Sequence, residues 1–414
     1  MDIWRIVGGR ELHGTVNTQG AKNAVLPIMA AAVLCPCRSE LVGCPDLRDV
    51  DGSLDILRCL GCGVHRDGGS IYIDSFSARH SRIPHELMAG MRSSVIFLGA
   101  VLARFGEAVM AMPGGCELGP RPIDLHLSAL REMGAQITER GGDIICRSEG
   151  LHGAKINLAL PSVGATENIM LAACGARGAT IITNAAREPE ICDLAAFLRA
   201  LGAEVTGDGS STVVISGFSP RTEVRHRVMP DRIAAATWLC AAASAGGEVT
   251  VRGAVPEHLR PVIQALTEMG CNINLDGDSI SICAPRTLKA PKPISTRPYP
   301  GFPTDAQALL MAATLKAEGT SVFTENMFES RFRHVPELQR MGAEISTEGR
   351  VAIVRGVQEL HGAPVTATDL RGSAALMIAA LGAGGITVLR DSGHLRRGYE
   401  DPVGILTALG AEIH

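Results

Sequence analysis

Aromatic residues are scarce in this sequence: 2 tryptophans, 3 tyrosines and 9 phenylalanines make up only 3% of its 414 residues. The chain therefore offers few side chains on which nucleobases could stack. A basic excess is also missing, since 39 Lys and Arg residues face 43 Asp and Glu residues and the net charge is −4. These two absences argue against a nucleic-acid partner.

Apolar runs long enough to cross a membrane are missing too. The apolar stretches near residues 24–35 and 95–103 fall short of the roughly 20 residues that span a bilayer. The first residues, MDIWRIVGGRELHG, do not show the charged and then apolar pattern of a signal peptide. We therefore expect a cytoplasmic protein with no membrane partner, whose 12 cysteines are mostly reduced.

Internal repetition is the strongest feature that the sequence does have. A Leu, two residues, a Leu or Met, a Gly, and an Ala or Cys, followed one residue later by Val or Ile, occur in this order six times. The pattern is typical of an amphipathic helix that ends at a left-handed glycine before a strand. The glycines lie 68 to 73 residues apart, at Gly61, Gly134, Gly202, Gly270, Gly342 and Gly410.

Each repeat also contains an Ala-rich helix, such as ATWLCAAASAGG, and alternating strands, such as STVVISGF. The helix is apolar nearly all round, as buried helices are. The pattern predicts an α/β fold of six strand–helix–strand–helix–strand–strand units, each about 70 residues long. With 46% hydrophobic residues the chain can bury sizeable cores, and 414 residues are too many for one.

The N-terminal segment resembles the strand pair that the sixth repeat lacks at the C-terminus. Residues 4–19 parallel residues 351–368, including a shared Glu-Leu-His-Gly, and the sixth repeat stops at His414. The N-terminal segment is therefore expected to complete the sixth repeat. We expect a first three-repeat domain at 22–229, which carries the Cys116 segment, and a discontinuous second domain at 1–21 and 230–414. The chain would then pass between the two domains twice, and a cleft between domains joined in this way is a usual ligand site.

The spacing of Cys59 and Cys62 matches one half of a zinc site. No second half-site with matching spacing follows in the sequence. Cys62 and Cys271 also fill a repeat position at which the four other copies carry alanine. We favour small, buried, apolar cysteines, with zinc binding as the alternative.

Two segments break the repeat pattern and are candidates for function. Lys22, in Gly-Ala-Lys-Asn just before a buried helix, could hold a phosphate at the helix start; a solvated lysine is the alternative. Cys116 lies in the Gly- and Pro-rich segment PGGCELGPRP. A thiol on such a loop near cations would be reactive, and a structural thiol is the alternative.

Charged residues at predicted helix starts are further candidates. Asp124 and His126 could bind a ligand or cap their helix. Asp305, in Gly-Phe-Pro-Thr-Asp, could be an N-cap or could accept a proton from a sugar hydroxyl. Arginines at repeat boundaries would suit a substrate with carboxylate and phosphate groups, and these are Arg92, Arg121, Arg331, Arg371 and Arg397.

Eight segments taken together resemble one known family. They are GAKNAVLP at 20–27, MRSSVIFLG at 91–99, PGGCELGPRPIDLH at 113–126, PSVGATENIM at 161–170, NAAREPEICD at 184–193, GFPTDAQA at 301–308, ATDLRGSAAL at 367–376 and RRGYE at 396–400. The chain resembles the enolpyruvyl transferases, in particular those that act on UDP-N-acetylglucosamine. The resemblance covers essentially the whole chain. It implies a two-domain inside-out α/β barrel with three βαβαββ units per domain.

The resemblance also implies a reaction. The enolpyruvyl (1-carboxyvinyl) group of phosphoenolpyruvate would pass to the 3-hydroxyl of UDP-N-acetylglucosamine through a tetrahedral ketal, and phosphate would leave. No cofactor or metal would be needed. The reaction would be the first committed step of peptidoglycan biosynthesis. A sister enzyme that acts on shikimate 3-phosphate, and a catalytically silent UDP-sugar-binding paralogue, are the alternatives; the sister family lacks the PGGC segment.

Residue roles follow from the same resemblance. Lys22, Arg121 and Arg397 would hold phosphoenolpyruvate. Cys116 would protonate the enol carbon and form a covalent adduct, and it would be the target of the epoxide fosfomycin. Asp305 would orient or deprotonate the sugar hydroxyl. The other substrate-binding residues would be Asn23, Arg92, Pro122, Ile123, Asp124, Leu125, Ser162, Val163, Gly164, Met327, Arg331 and Arg371, with Glu188, Glu329 and Asp369 as supporting polar residues.

Three positions depart from the family pattern. Arg396 stands where Asp is common before Arg-Gly-Tyr-Glu, Leu160 where some members carry Lys, and Ser330 where Asn is common before Arg331. The expected catalytic set is intact, so these departures concern nucleotide contacts and closure.

Overall fold

The computed structural model describes residues 2–112 and 123–414. Contacts within these ranges divide the chain into two compact units. The first unit comprises residues 20–112 and 123–229, and the second comprises residues 2–19 and 230–414. None of the helices in the described ranges is long and apolar enough to cross a membrane.

Two strands of the second unit open the chain, β1 (Asp2–Val7) and β2 (Leu12–Asn17). The elements of the first unit follow: α1 (Lys22–Ala31), β3 (Arg38–Val42), α2 (Arg48–Cys59), β4 (Gly63–Asp67), β5 (Ser70–Asp74), β6 (Arg82–Ile83), α3 (His85–Gly90), α4 (Phe97–Phe105), β7 (Glu107–Ala111), α5 (Asp124–Glu132), β8 (Gln136–Arg140), β9 (Asp143–Arg147), β10 (Lys155–Asn157), α6 (Val163–Cys174), β11 (Thr180–Thr183), α7 (Pro189–Leu201), β12 (Ala203–Thr206), β13 (Thr212–Phe218) and β14 (Glu223–Arg227).

The rest of the second unit consists of α8 (Arg232–Ala245), β15 (Gly247–Arg252), α9 (Arg260–Glu268), β16 (Asn272–Asp276), β17 (Ser279–Ala284), β18 (Ile294–Ser295), α10 (Thr304–Ala313), β19 (Thr320–Thr324), α11 (Val335–Arg340), β20 (Glu344–Glu348), β21 (Val351–Arg355), β22 (Pro364–Thr366), α12 (Leu370–Gly382), β23 (Ile386–Asp391), α13 (Pro402–Ala408) and β24 (Glu412–Ile413). Short 3₁₀ helices lie at Arg92–Ile96, Pro256–Leu259 and Leu395–Arg397.

Six four-stranded sheets share one topology. In each, an edge strand runs parallel to its neighbour, and the remaining contacts are antiparallel. The sheets of the first unit have the orders β14-β3-β5-β4, β6-β7-β9-β8 and β10-β11-β13-β12. Those of the second have the orders β2-β15-β17-β16, β18-β19-β21-β20 and β22-β23-β1-β24. The repeating unit predicted from the sequence is therefore present.

Strands from distant parts of the chain complete three of these sheets. β1 lies between β23 and β24 in the last sheet and is antiparallel to both. β2 runs parallel to β15, so the N-terminal segment contributes to two sheets. β14, at the end of the first unit, runs parallel to β3 in the same way.

Helices lie inside each unit, and sheets cover them. In the second unit α8, α10 and α12 pack on one another, and in the first unit α4 packs on α1 and α6. The contacts are close: a Cβ added at Gly99 of α4 would lie 2.3 Å from the carbonyl oxygen of Asn168 in α6. Only glycine therefore allows the two helices to approach this closely. Dense packing of small aliphatic side chains fills the cores, which contain few aromatic residues. The predicted inside-out α/β fold is confirmed.

The repeat glycines take the left-handed conformation that the sequence predicts. Their φ angles lie between 91° and 110° at Gly61, Gly134, Gly202, Gly270, Gly342 and Gly410. An L side chain is disfavoured there. Each glycine therefore ends its helix and turns the chain into the next strand.

Each unit contains a buried neutral histidine. Burial lowers the pKa of His126 on α5 to about 4, although Asp124 opposes the shift. Burial also lowers the pKa of His334, which precedes α11, to about 4; the charge of Arg331 adds to this, and Asp369 opposes it. In the first unit, burial beside Glu190 and Glu188 raises the pKa of Glu167. Its contribution to stability therefore falls as the pH rises, whereas that of the buried histidines falls as the pH decreases.

We predict that Gly202→Ala destabilises the chain more than Gly270→Ala does. Both changes impose about 1–2 kcal/mol of left-handed strain. At Gly202 the new Cβ would also lie 2.0 Å from the carbonyl oxygen of Ser219, whereas at Gly270 the nearest atom is 3.7 Å away. The clash should add about 1–3 kcal/mol. Urea unfolding measures both variants, and equal losses would contradict the backbone contact.

We predict that the second unit loses stability as the pH falls from 7 to 5. A histidine in the unfolded chain has a pKa near 6.5, and His334 in the folded chain has one of about 4. The unfolded chain therefore binds more protons in this window, and the free energy of unfolding falls by about 1–3 kcal/mol. His334→Gln should reduce this loss, whereas His80→Gln, at an exposed site, should not. An unchanged pH dependence in His334→Gln would show the prediction to be wrong.

Candidate active site

Asp305 lies in the first turn of α10 but does not cap it. The N-cap position is Pro303, and no side chain caps the helix. Instead, Oδ1 of Asp305 accepts a hydrogen bond from Nη2 of Arg331 (2.9 Å), and Oδ2 accepts one from Nη2 of Arg371 (3.1 Å). The side chain remains 28% exposed. Asp305 thus presents a carboxylate that two cations hold in one orientation.

Both arginines are buried, with side chains only 3% exposed. Nη2 of Arg331 also donates to the carbonyl oxygen of Thr304 (3.0 Å), and its guanidinium lies 5.6 Å from the Phe328 ring centroid. Nη1 of Arg371 donates to the hydroxyl of Tyr399 (3.1 Å). Burial alone would lower the pKa of Arg371, but Tyr399 and the carboxylates around it raise it. Arg371 therefore stays charged.

Two other helices of the second unit also begin with an aspartate. Asp231 caps α8 by accepting from the N–H groups of Ile233 and Ala234 (2.8 and 3.0 Å). Asp369 caps α12 by accepting from those of Arg371 and Gly372, both at 3.1 Å. Both caps are buried. Of the three aspartates, Asp305 is the one that a substrate could reach.

Asp369 stays ionised although it is buried. Burial would raise the pKa of this carboxyl, but the charge of Arg331 and the backbone N–H of Gly372 hold it below its usual range. A charged cap suits the positive end of a helix. Asp369 therefore fixes the first turn of α12, from which Arg371 extends.

Glu325 is a site residue that the sequence did not indicate. It is buried after β19, where Oε1 accepts from the N–H groups of Met327 (2.7 Å) and Phe328 (3.1 Å). Oε2 accepts from the hydroxyl of Thr304 (3.0 Å). Glu325 therefore fixes the segment that carries the exposed Met327 beside the start of α10. Its position immediately after an alternating strand was the only sequence signal.

Arg397 lies in the 3₁₀ helix Leu395–Arg397, and hydrogen bonds anchor the segment that follows it. The side-chain amide of Gln19 donates to the carbonyl oxygen of Gly398 (3.1 Å) and accepts from the N–H of Glu400 (3.2 Å). The neighbouring Arg396 is exposed, and its Nε lies 3.5 Å from a carboxylate oxygen of Asp2. The Arg396 departure is thus a surface ion pair, which contributes little stability.

In the first unit, Lys22 is the first residue of α1. Its side chain is 12% exposed, and Nζ lies 3.3 Å from Oδ2 of the buried Asp49. Lys22 is therefore not a solvated lysine, and the half-buried Asn23 follows it. The N-cap residue, Ala21, has no side chain to cap the helix. A cation at a helix start favours anionic ligands.

The start of α6 carries three more of the predicted residues. The hydroxyl of Ser162 accepts from the N–H of Ala165 (3.3 Å) and so caps the helix. Val163 and Gly164 follow in half-buried positions. A Cβ at Gly164 would lie 3.1 Å from Cε1 of His126, so α5 and α6 approach closely here. Leu160, two residues before the cap, is exposed.

The start of α5 is held by a buried amide. Asn168 of α6 accepts from the N–H of Gly99 through Oδ1 (2.8 Å), and its Nδ2 lies 3.0 Å from Nδ1 of His126. His126 is therefore a structural residue. Asp124 does not cap the helix, whose N-cap position is the buried Ile123. Leu125 is half-buried.

The predicted supporting glutamates have different surroundings. Glu188 occupies the N-cap position of α7 without a side-chain cap bond and is buried, as are Glu190 and Glu167. Glu329 is exposed and lies 3.6 Å from Arg350. The buried glutamates thus form one acidic group in the first unit, whereas Glu329 makes a surface ion pair.

Several predicted residues lie outside the described residues, namely Cys116, Arg121 and Pro122. For Arg92 the backbone alone is described, in the 3₁₀ helix Arg92–Ile96. Within the described ranges, no group of three His, Cys, Asp or Glu residues could hold a metal ion. Burial raises the pKa of the Cys62 thiol to about 11, which fits a small buried side chain.

Comparisons with known proteins place the chain in a family. The family model of EPSP synthase (3-phosphoshikimate 1-carboxyvinyltransferase) matches residues 6–406. A protein of Caldanaerobacter subterraneus subsp. tengcongensis named UDP-N-acetylglucosamine 1-carboxyvinyltransferase 2 is 48% identical, over 100% of this chain and 99% of its own. A UDP-N-acetylglucosamine 1-carboxyvinyltransferase of Geotalea uraniireducens is 46% identical over the same shares.

Solved structures share the fold. The enolpyruvyl transferase NikO from Streptomyces tendae superposes with a TM-score of 0.89 at 27% identity, covering 100% of this chain and 98% of that one. An EPSP synthase from Acinetobacter baumannii gives a TM-score of 0.73 at 20% identity, with 100% and 99% covered, which bears on the fold alone. Matched by the family model along nearly its whole length, the chain belongs to the EPSP synthase family of enolpyruvyl transferases.

Proposed function

We propose that this chain transfers the enolpyruvyl group of phosphoenolpyruvate to the 3-hydroxyl of UDP-N-acetylglucosamine and releases phosphate. The full-length relatives named for carboxyvinyl transfer to this sugar nucleotide support the reaction. The observation that carries the chemistry is the partly exposed carboxylate of Asp305 between two buried guanidinium groups. The product would enter peptidoglycan synthesis as its first committed intermediate.

The reaction has two stages. The sugar oxygen attacks C2 of phosphoenolpyruvate while its proton passes to Asp305, and C3 takes a proton from Cys116, which gives a tetrahedral ketal. Loss of a proton from C3 and of phosphate from C2 then gives the enolpyruvyl ether. Protonation of carbon is slow, so a positioned acid contributes much of the rate. Cys116 also forms a covalent adduct with phosphoenolpyruvate in this proposal.

The two arginines define what Asp305 can do. Each of its oxygens accepts a guanidinium N–H, and a carboxylate oxygen can accept more than one hydrogen bond. A substrate hydroxyl would be a further donor. The two guanidinium groups hold the carboxylate in one orientation. Asp305 therefore orients the hydroxyl first and accepts its proton as the new C–O bond forms.

The substrates carry phosphate, diphosphate and carboxylate groups, which need cations and N–H donors. We assign Lys22, Arg121 and Arg397 to phosphoenolpyruvate. The half-buried position of Lys22 at a helix start supports its part. For the UDP-sugar, the adjoining starts of α5 and α6 support contacts from Asp124 and Ser162, and the remaining residues of this set are Asn23, Arg92, Pro122, Ile123, Leu125, Val163, Gly164 and Met327.

We place the reaction in the cytoplasm. The cysteine thiols that the structure describes are all free, as is usual in a reducing compartment. The sister reaction on shikimate 3-phosphate is the second candidate, because the family model carries that name. The relatives at 46–48% identity favour the sugar nucleotide.

A phosphate-release assay separates these functions. The purified protein should release inorganic phosphate from phosphoenolpyruvate when UDP-N-acetylglucosamine is added, and not when shikimate 3-phosphate is added. Release with shikimate 3-phosphate alone would assign the sister reaction. No release with either acceptor would refute the proposed function.

We predict that Asp305→Asn lowers kcat by about 10²- to 10⁴-fold, because the amide cannot accept the hydroxyl proton. The amide would still fill the same space between Arg331 and Arg371. Steady-state phosphate release measures the loss. Asp276→Asn makes the same chemical change at an exposed position on β16 and should keep wild-type kcat. An Asp305→Asn enzyme within threefold of wild type would contradict the role.

We predict that fosfomycin alkylates Cys116 by opening its epoxide ring. The intact mass of the wild-type protein should rise by one inhibitor molecule, and that of Cys116→Asp should not. The mass readout does not depend on whether the variant is active. Cys283 is an exposed free thiol, so Cys283→Ser is the matched control and should react like wild type. Equal labelling of Cys116→Asp would show that another thiol is the target.

A further inference from the structure

Tyr399 is a fully buried tyrosine that the proposed reaction does not yet use. Its hydroxyl lies 3.1 Å from Nη1 of Arg371 and 2.8 Å from Oγ1 of Thr237. The Arg371 guanidinium also lies 5.6 Å from the centroid of the tyrosine ring. Tyr399 thus contacts the same arginine that binds Asp305.

The donors in this chain of hydrogen bonds can be assigned from chemistry. An arginine only donates, so the Tyr399 oxygen accepts from Arg371. Thr237 donates its hydroxyl proton to the carbonyl oxygen of Ile233 (2.8 Å), so its oxygen accepts from Tyr399. The chain therefore runs in one direction, from Arg371 through Tyr399 and Thr237 to a fixed backbone carbonyl in α8. Aligned hydrogen bonds of this kind strengthen one another.

The tyrosine itself cannot move easily. Its ring packs edge-on against Trp238 of α8, with ring centroids 5.8 Å apart. Gln19 binds the backbone on both sides of it, at Gly398 and Glu400. Burial raises the pKa of Tyr399, although the charge of Arg371 opposes the shift, so the phenol keeps its proton and remains a donor. Its position is therefore set independently of Arg371.

A second carboxylate adds to the charge around the same arginine. Asp231 contributes to the charge environment of Arg371, and it is the N-cap of α8, the helix that carries Thr237. The Nε of Arg371 already lacks a hydrogen-bond partner among the described residues, so loss of the tyrosine hydroxyl would leave a second buried N–H unpaired, which is costly. Any turn of the guanidinium that gives Nη1 a new acceptor would draw Nη2 away from Asp305.

We propose that Tyr399 is a positioning residue for the transfer: its hydroxyl holds Arg371 on Asp305, and so fixes the carboxylate that orients the sugar hydroxyl. The proposal rests on the proposed function for its kinetic consequence. Its structural consequence, the place of Arg371, does not depend on that function.

Tyr399→Phe tests the kinetic part, because it removes one oxygen and keeps the ring. We expect kcat to fall by about 10- to 100-fold, since small misplacements of a catalytic group cost rate on this scale. The KM for phosphoenolpyruvate should change by less than about threefold, because Asp305 acts on the sugar. Thr237→Val should lower kcat less. Tyr72→Phe, at an exposed tyrosine on β5, is the matched control and should leave both constants unchanged.

A double variant distinguishes positioning from a general structural role. If Tyr399 acts through Asp305, adding Tyr399→Phe to Asp305→Asn should lower kcat by less than twofold further. Thermal unfolding of each variant confirms that it is folded at the assay temperature. A Tyr399→Phe enzyme with kcat within twofold of wild type, or losses that multiply in the double variant, would overturn the proposal.

A crystal structure of Tyr399→Phe gives a readout that does not depend on activity. We expect the distance from Nη2 of Arg371 to Oδ2 of Asp305 to lengthen from 3.1 Å beyond hydrogen-bonding range. An unchanged distance would refute the positioning role even if kcat falls. Absence of phosphate release by the wild-type protein would instead refute the proposed function, and this crystal structure would still decide the role of Tyr399.

Discussion

The second unit is organised around one carboxylate held by two buried cations. Burying a guanidinium group costs several kcal/mol unless charged and hydrogen-bonding partners surround it. Arg331 and Arg371 meet most of this requirement on Asp305, although the Nε of each has no hydrogen-bond partner among the described residues. Their other contacts reach into three segments: Thr304 at the start of α10, Phe328 after β19, and Tyr399 after β23. The carboxylate thus fixes the ends of several repeats relative to one another, and the same contacts leave it partly exposed and oriented.

Repetition explains why the candidate residues converge. The three central helices of the second unit pack together, and each has an aspartate at its N-cap or in its first turn. Two of these carboxylates serve their own helices as caps. The third, Asp305, is the second residue of α10, two positions after the N-cap Pro303, and it does not cap the helix. A shift of two positions therefore separates a capping carboxylate from one that is available for chemistry.

The fold could be predicted from the sequence because each repeat contains local signals for the end of a helix and the start of a strand. The pattern around Gly134 or Gly342 predicts a helix end, a left-handed residue and a strand, and all three are observed. Local patterns could not reveal the site's supporting residues. No local pattern marks Glu325 as buried. Nor does one pair Thr237 with Tyr399, because these residues are 162 positions apart in the sequence. Their partners are set by tertiary packing, which periodicity does not encode.

The two units also differ in the charge that they place at equivalent helix starts. In the first unit a lysine begins α1 and a serine hydroxyl caps α6, whereas the three central helices of the second unit, α8, α10 and α12, carry an aspartate at the N-cap or in the first turn. Cations and N–H donors suit the phosphate and carboxylate groups of the proposed substrates, and a carboxylate suits the hydroxyl that must lose a proton. The positive end of a helix suits a carboxylate better than a lysine, so each kind of helix start has its own compensating contact. In the first unit that contact is the ion pair of Lys22 with Asp49; in the second it is the pair of arginines on Asp305.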